Sequence, residues 1–137
     1  MSRLWHYTCE HSVAAIAADR GTLRPNPKAG RQELVDAWVY PVVWLTDVDV
    51  QSHADACVIG LGNLERVVDC DRTGWRYIVP RVGVVPWAAW ADAHADPGHR
   101  YLLELAPGAD PARWWVCPGP IAGARLDERY RPLVLGR

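Results

Sequence analysis

The chain contains no phenylalanine, so its aromatic packing must come from eight tryptophans and five tyrosines. Tryptophan carries one N–H donor that needs a partner when buried, and several such rings can also line a pocket. No block of like charge reaches roughly five residues. The formal net charge is −1. Broad electrostatic capture of nucleic acid or of an anionic membrane is therefore not expected, and only a small local basic patch remains open. No apolar run approaches roughly 18 residues, and the first residues lack a charged-then-apolar leader, so neither a membrane span nor a signal peptide is expected. Cys9, Cys57, Cys70 and Cys117 form no C-x-x-C pair. They read as reduced thiols of a cytoplasmic protein, not as zinc ligands or a secreted disulfide framework. G-x-S-x-G, the Walker A loop and G-x-G-x-x-G are all absent. That removes the serine-hydrolase elbow and the glycine cradle for phosphate. There is no internal repeat and no low-complexity tract.

What is present fits one domain spanning residues 1–137. A chain of this length buries roughly two thirds of its unfolded surface, enough for a core without staples. Residues 3–8 read as a strand, with Leu4, His6 and Thr8 on one face and Trp5 and Tyr7 on the other. "EHSVAAIAADRG" reads as a helix, with Val13, Ile16 and Ala17 at helical spacing, Ser12 able to cap its start and Gly21 able to end it. "TLRPNPKAGRQE" is a long loop, rich in proline, glycine and charge. A second strand starts after Pro41 in "PVVWLTD". Residues 47–62 stay ambiguous. "GWRYIVPRV" is a strand, and "PWAAWADAHA" is a short helix with Pro86 at its first position. "YLLEL" fits helix or strand. "ARWWVCP" is a strand and "PIAGARL" an edge strand. This order predicts an α+β fold with one curved sheet, mixed or antiparallel, and few helices.

Several constellations can be weighed for chemistry. His6, Cys9 and His11 offer zinc-type ligands, but a strand points His6 and Cys9 to opposite faces, so no metal is expected. Asp69, Asp71, Thr73 and Gly74 begin like a calcium loop, yet its twelfth position is Pro80 in place of glutamate, which favours a turn. Cys117 ends a strand before Pro118; a catalytic thiol needs a nearby base, which a sequence does not show, and Cys117 reads as a small buried hydrophobe. His6 with Thr8 and Trp44 with Thr46 stand at strand ends, where side chains face a cleft. Taken alone, His6 fits a core histidine bonded to backbone and Thr8 a helix cap. Trp87, Trp90, Trp114 and Trp115 fit core packing. Asp47 fits a turn, and His53, His94 and His99 fit solvent.

"WHYT", "VAAIAADRGTLRP" and "VVWLTD", in that order over roughly residues 3–47, resemble the ADP-ribosyltransferase-like fold. The resemblance is to the group of DNA-thymidine ADP-ribosyltransferases and RNA 2′-phosphotransferases. "ARWWVCPGPIAGARL" is similar to the last strand pair of that fold. The resemblance implies that NAD is bound as a substrate and ADP-ribose passed to a macromolecular acceptor. It implies that His6 bonds a ribose hydroxyl and that Thr8 caps the helix or touches the ligand. Tyr7 and Trp44 would flank the site, and Thr46 would stand at the second strand end. The loop 22–37 would cover the cleft, with Arg24, Lys28 or Arg31 near a pyrophosphate. Transferases of this fold place a glutamate at the head of the late strand. Here that strand opens with Arg113 and Trp114, and no glutamate lies between Glu104 and Glu128. Glu104 reaching in, or Arg113 and Arg76 as cationic groups, would have to serve. The alternative is a nucleotide- or protein-binding domain of the same fold without catalysis. A third reading, outside the fold analogy, is a tryptophan-rich interaction protein whose exposed rings meet a partner.

Overall fold

The computed structural model describes residues 3–25, 40–60 and 72–132. Along the chain run β1 (Leu4–Thr8), α1 (Glu10–Ala18), β2 (Val43–Thr46), α2 (His53–Val58), β3 (Trp75–Val79), β4 (Val85–Pro86), α3 (Trp87–His94), α4 (Pro97–Glu104), a 3-10 turn (Pro111–Arg113), β5 (Trp114–Cys117) and β6 (Arg125–Leu126). Among the described residues this is a single small α+β domain whose strands form one open six-stranded sheet in the order β4-β5-β2-β1-β3-β6. All neighbouring strands are antiparallel. None of the helices is long and apolar enough to cross a membrane.

Local chemistry sets the helix starts. α1 begins at Glu10, with Cys9 in the cap position and no side-chain cap. Ser12, expected as the cap, lies inside the helix, and its N–H donates to the Cys9 carbonyl at 3.1 Å. An acidic residue in the first turn suits the helix dipole and serves where the cap is missing. The ambiguous stretch 47–62 holds α2, capped by the Ser52 hydroxyl accepting from the Asp55 N–H at 3.1 Å. Pro86 sits one residue before α3, not inside it. "YLLEL" is the end of α4, because Asp96 caps that helix and Pro97 presets its first turn. Gly21 closes α1 as expected, its N–H donating to the Ile16 carbonyl at 2.9 Å with φ at 78°. A Cβ there would stand 2.7 Å from the Ala124 carbonyl oxygen.

Strand alternation sorts the sheet into two faces. Leu4, Val43, Leu45, Tyr77, Val79 and Cys117 form the core on the first face. α1 covers it through Ile16, and a two-residue bridge from Leu23 to Ile121 closes its edge. The second face carries Trp44, Trp114 and Val116, and α3 packs on it through Trp87, Trp90 and Ala91. Trp87 is fully buried there. Its ring centroid lies 4.8 Å from Trp44, 5.8 Å from Trp90 and 6.1 Å from Trp114. Tryptophan thus does the packing that phenylalanine does elsewhere. Trp115 alternates to the first face, beside Leu45.

Candidate functional site

β1 pairs with β3 at five positions, from Leu4↔Val79 to Thr8↔Trp75. β2 pairs with β5 at four, from Val43↔Cys117 to Thr46↔Trp114. Between β1 and β2 the ladder has one rung, Trp5↔Thr46. Past that rung the His6 imidazole takes over, with Nδ1 2.8 Å from the Trp44 carbonyl oxygen. A carbonyl only accepts, so Nδ1 carries the proton, and Nε2 of the neutral ring keeps its lone pair. The ring is half-buried. Burial holds its pKa below the usual 6.5; the hydrogen bond to Trp44 opposes the shift and the Arg72 charge adds to it. At neutral pH, His6 is therefore a fixed, uncharged acceptor at a notch in the sheet.

Register places other residues on the same face. Thr8 is buried two residues along β1. It does not cap α1, whose cap position belongs to Cys9. Tyr77 lies directly across from His6, and burial raises its hydroxyl pKa, so it stays protonated. Trp75 lies across from Thr8 and is 40% exposed. Tyr77, Trp75 and Arg72 were not singled out from the sequence. The alternation in "WRYIV" was the available signal, but it pairs Trp75 with Tyr77 without saying which strand they face.

The structure does not bring the remaining sequence candidates to this notch. Because β1 and β2 are antiparallel neighbours, Thr8 and Thr46 stand at opposite ends of the sheet. Trp44 turns to the second face and packs in the tryptophan cluster; only its carbonyl reaches His6. Thr46 ties the sheet end, donating to the Arg113 carbonyl at 2.8 Å and accepting from the Val48 N–H at 3.1 Å. Tyr7 also turns to the second face. Its hydroxyl donates to the Val48 carbonyl at 2.8 Å and accepts from the Val50 N–H at 3.0 Å and from Arg76 at 3.1 Å. Burial raises the pKa of that hydroxyl against both donors.

Arg76 is buried and spoken for. It bonds Asp127 at 2.7 Å and Asp49 at 2.6 Å, and stacks on Trp5 at 4.2 Å and Tyr130 at 4.6 Å. Burial disfavours its charge, but the bonds to Tyr7, Asp49 and Asp127 outweigh this and hold its pKa above the ordinary arginine value.

The three other charged candidates are also engaged. Arg24 is exposed and bonds both oxygens of Asp19. Arg113 pairs with Asp47 at 2.6 Å. Glu104 accepts from the Trp87 indole N–H at 3.0 Å and from Arg100 at 2.8 Å. Trp87 packs on the second face, so the sheet stands between Glu104 and His6. Lys28, Arg31, Cys70 and the turn residues Asp69 and Asp71 lie outside the described residues. Among the described residues, no group of three or more His, Cys, Asp or Glu side chains is placed to hold a metal ion. No protein-family model, curated protein or solved structure matches the chain.

Proposed function

We propose that the chain is an ADP-ribosyltransferase-like domain that binds NAD at the β1–β2 notch and passes ADP-ribose to a nucleic acid or protein acceptor in the cytoplasm. One observation carries the reading. His6 is locked by the Trp44 carbonyl in the tautomer that leaves Nε2 as an acceptor, and burial keeps it neutral. Such an atom suits a ribose hydroxyl, which must donate a proton to bind there. The exposed Trp75 ring on the same face offers a flat surface to a base or to nicotinamide.

In the reaction, the bond between the ribose C1′ and the nicotinamide nitrogen breaks, and nicotinamide leaves with the electron pair. Positive charge develops on the sugar. A nucleophilic oxygen or nitrogen of the acceptor then bonds C1′ and releases a proton. Holding the riboside in one pose and stabilising that charge is the work of the site. Glu104 and Arg113 take no part in this reading, since each is committed to another contact.

Those same contacts favour a second reading, a nucleotide- or protein-binding domain of this fold without transfer. One experiment separates the two: NAD binding followed by intrinsic fluorescence, and nicotinamide release measured with DNA, RNA and protein acceptors. Acceptor-dependent release that His6→Ala abolishes supports transfer. Binding without release supports the second reading. Neither binding nor release refutes both nucleotide readings.

A further inference from the structure

α4 wears its polarity inside out. Its inward positions carry Arg100 and Glu104, which bond each other at 2.8 Å and reach α3 through Asp92 and the Trp87 indole. Only Leu103 turns toward the tryptophan cluster. The outward positions are Tyr101, 65% exposed, Leu102, 51%, and Leu105 just past the helix end, 56%. These are three of the five large apolar side chains exposed among the described residues. An amphipathic helix ordinarily buries its apolar stripe, and a contiguous exposed apolar patch marks an interaction site.

Charge beside the patch narrows the occupant. A groove of about 350 Å³ runs between α3 and α4, lined by Ala91, Asp92, Ala95, Arg100, Tyr101 and Glu104. It holds two carboxylates against one guanidinium. The Asp92 side chain in this lining is 73% exposed, and Asp96, 59% exposed, lies between the lining residues Ala95 and Pro97. The rim is therefore acidic and the floor largely alanine.

We propose that α4 and this groove form a docking surface for a basic, amphipathic helical segment of a partner protein. Aliphatic side chains one turn apart on the partner cover Tyr101, Leu102 and Leu105. A lysine or arginine of the partner lays its stem along Ala91 and Ala95 and sets its charge between Asp92 and Asp96. The acidic rim disfavours anionic lipid. The surface lies on the face of the sheet away from His6, so it does not depend on the nucleotide reading.

The test uses the full chain and a fluorescently labelled synthetic helix with leucines along one face and arginines along its flank. A control helix carries glutamate in place of arginine. Anisotropy titration should show binding of the arginine helix, weakening with added salt, and none of the glutamate helix. Leu102→Ser/Leu105→Ser and Asp92→Asn should each weaken binding by about tenfold. All three positions are exposed, so the melting temperature checks that the fold is kept, with Tyr101→Ser as a second patch variant. Failure of the arginine helix to bind overturns the proposal, as does binding that neither patch variant weakens. A dimer in sedimentation that Leu102→Ser/Leu105→Ser dissolves also overturns it, by placing a second copy on the surface.

Discussion

His6 donates its Nδ1 proton to the Trp44 carbonyl across 2.8 Å, beyond the single rung that joins β1 to β2. The bond fixes the ring's tautomer, and burial lowers its pKa from 6.5. The unfolded chain therefore takes up the imidazole's second proton before the folded chain does as pH falls. Above about 6.5 the ring adds no pH dependence to stability; below it stability drops, until pH passes the folded-state pKa. His6→Gln should remove that slope in a series of urea unfolding curves taken at decreasing pH. NAD binding should fall in the lower part of the same window, where Nε2 turns from acceptor to donor. A slope unchanged by His6→Gln would refute the half-buried, neutral ring.

Glu104 holds the indole N–H of a fully buried tryptophan. Glu104→Ala should cost about 1–3 kcal/mol, the price of leaving that donor unsatisfied, while Glu104→Gln keeps an acceptor in place and most of the stability. Neither should change nicotinamide release per folded molecule. Arg113→Ala removes an ion pair that is partly exposed and should cost less than about 1 kcal/mol. A variant with intact melting temperature and lost release would return that residue to the site.

Arg76 and Asp127 are both largely buried, and from β3 Arg76 ties β1 to the turns after β2 and β6. Arg76→Leu strands a buried carboxylate and should cost about 3–5 kcal/mol in chemical unfolding. The double variant Arg76→Leu/Asp127→Leu should lose less than the single one. If the double variant is the weaker, the carboxylate is not what makes the single change costly.

Gly21 turns the chain out of α1 with φ at 78°. Gly21→Ala puts a Cβ into a left-handed position and within 2.7 Å of a backbone oxygen. It should cost more than about 1 kcal/mol, read as a lower melting temperature. An unaltered melting temperature would mean that the Ala124 segment yields freely.

Much of the fold was legible because its signals are local. Alternation marked β1, β3 and β5. The Pro86–Trp87 boundary and Gly21 marked helix ends, since proline and glycine act through their own dihedral angles. Two helices escaped. α2 is short and stands on a serine cap amid polar residues. α4 keeps its apolar side outward, so its leucines gave no core face to read. Of the candidate site, alternation made legible the face that His6 shares with Thr8. Trp44 and Thr46 lie close in the sequence, yet the Trp44 ring turns to the second face and antiparallel pairing sets Thr46 away from Thr8.

The sequence by itself determined an α+β chain, the alternation that sets His6 with Thr8 and Tyr7 with Trp5, and aromatic packing that must come from tryptophan and tyrosine. These follow from period, propensity and composition, which act over a few residues. Only the tertiary structure decided which strands pair, and so which residues meet across them. It placed Trp44's carbonyl, not its ring, beside His6. It committed Arg76, Arg113 and Glu104 to partners 51, 66 and 17 residues away. Charged side chains choose partners by distance and burial, and neither quantity exists until the strands have found their order.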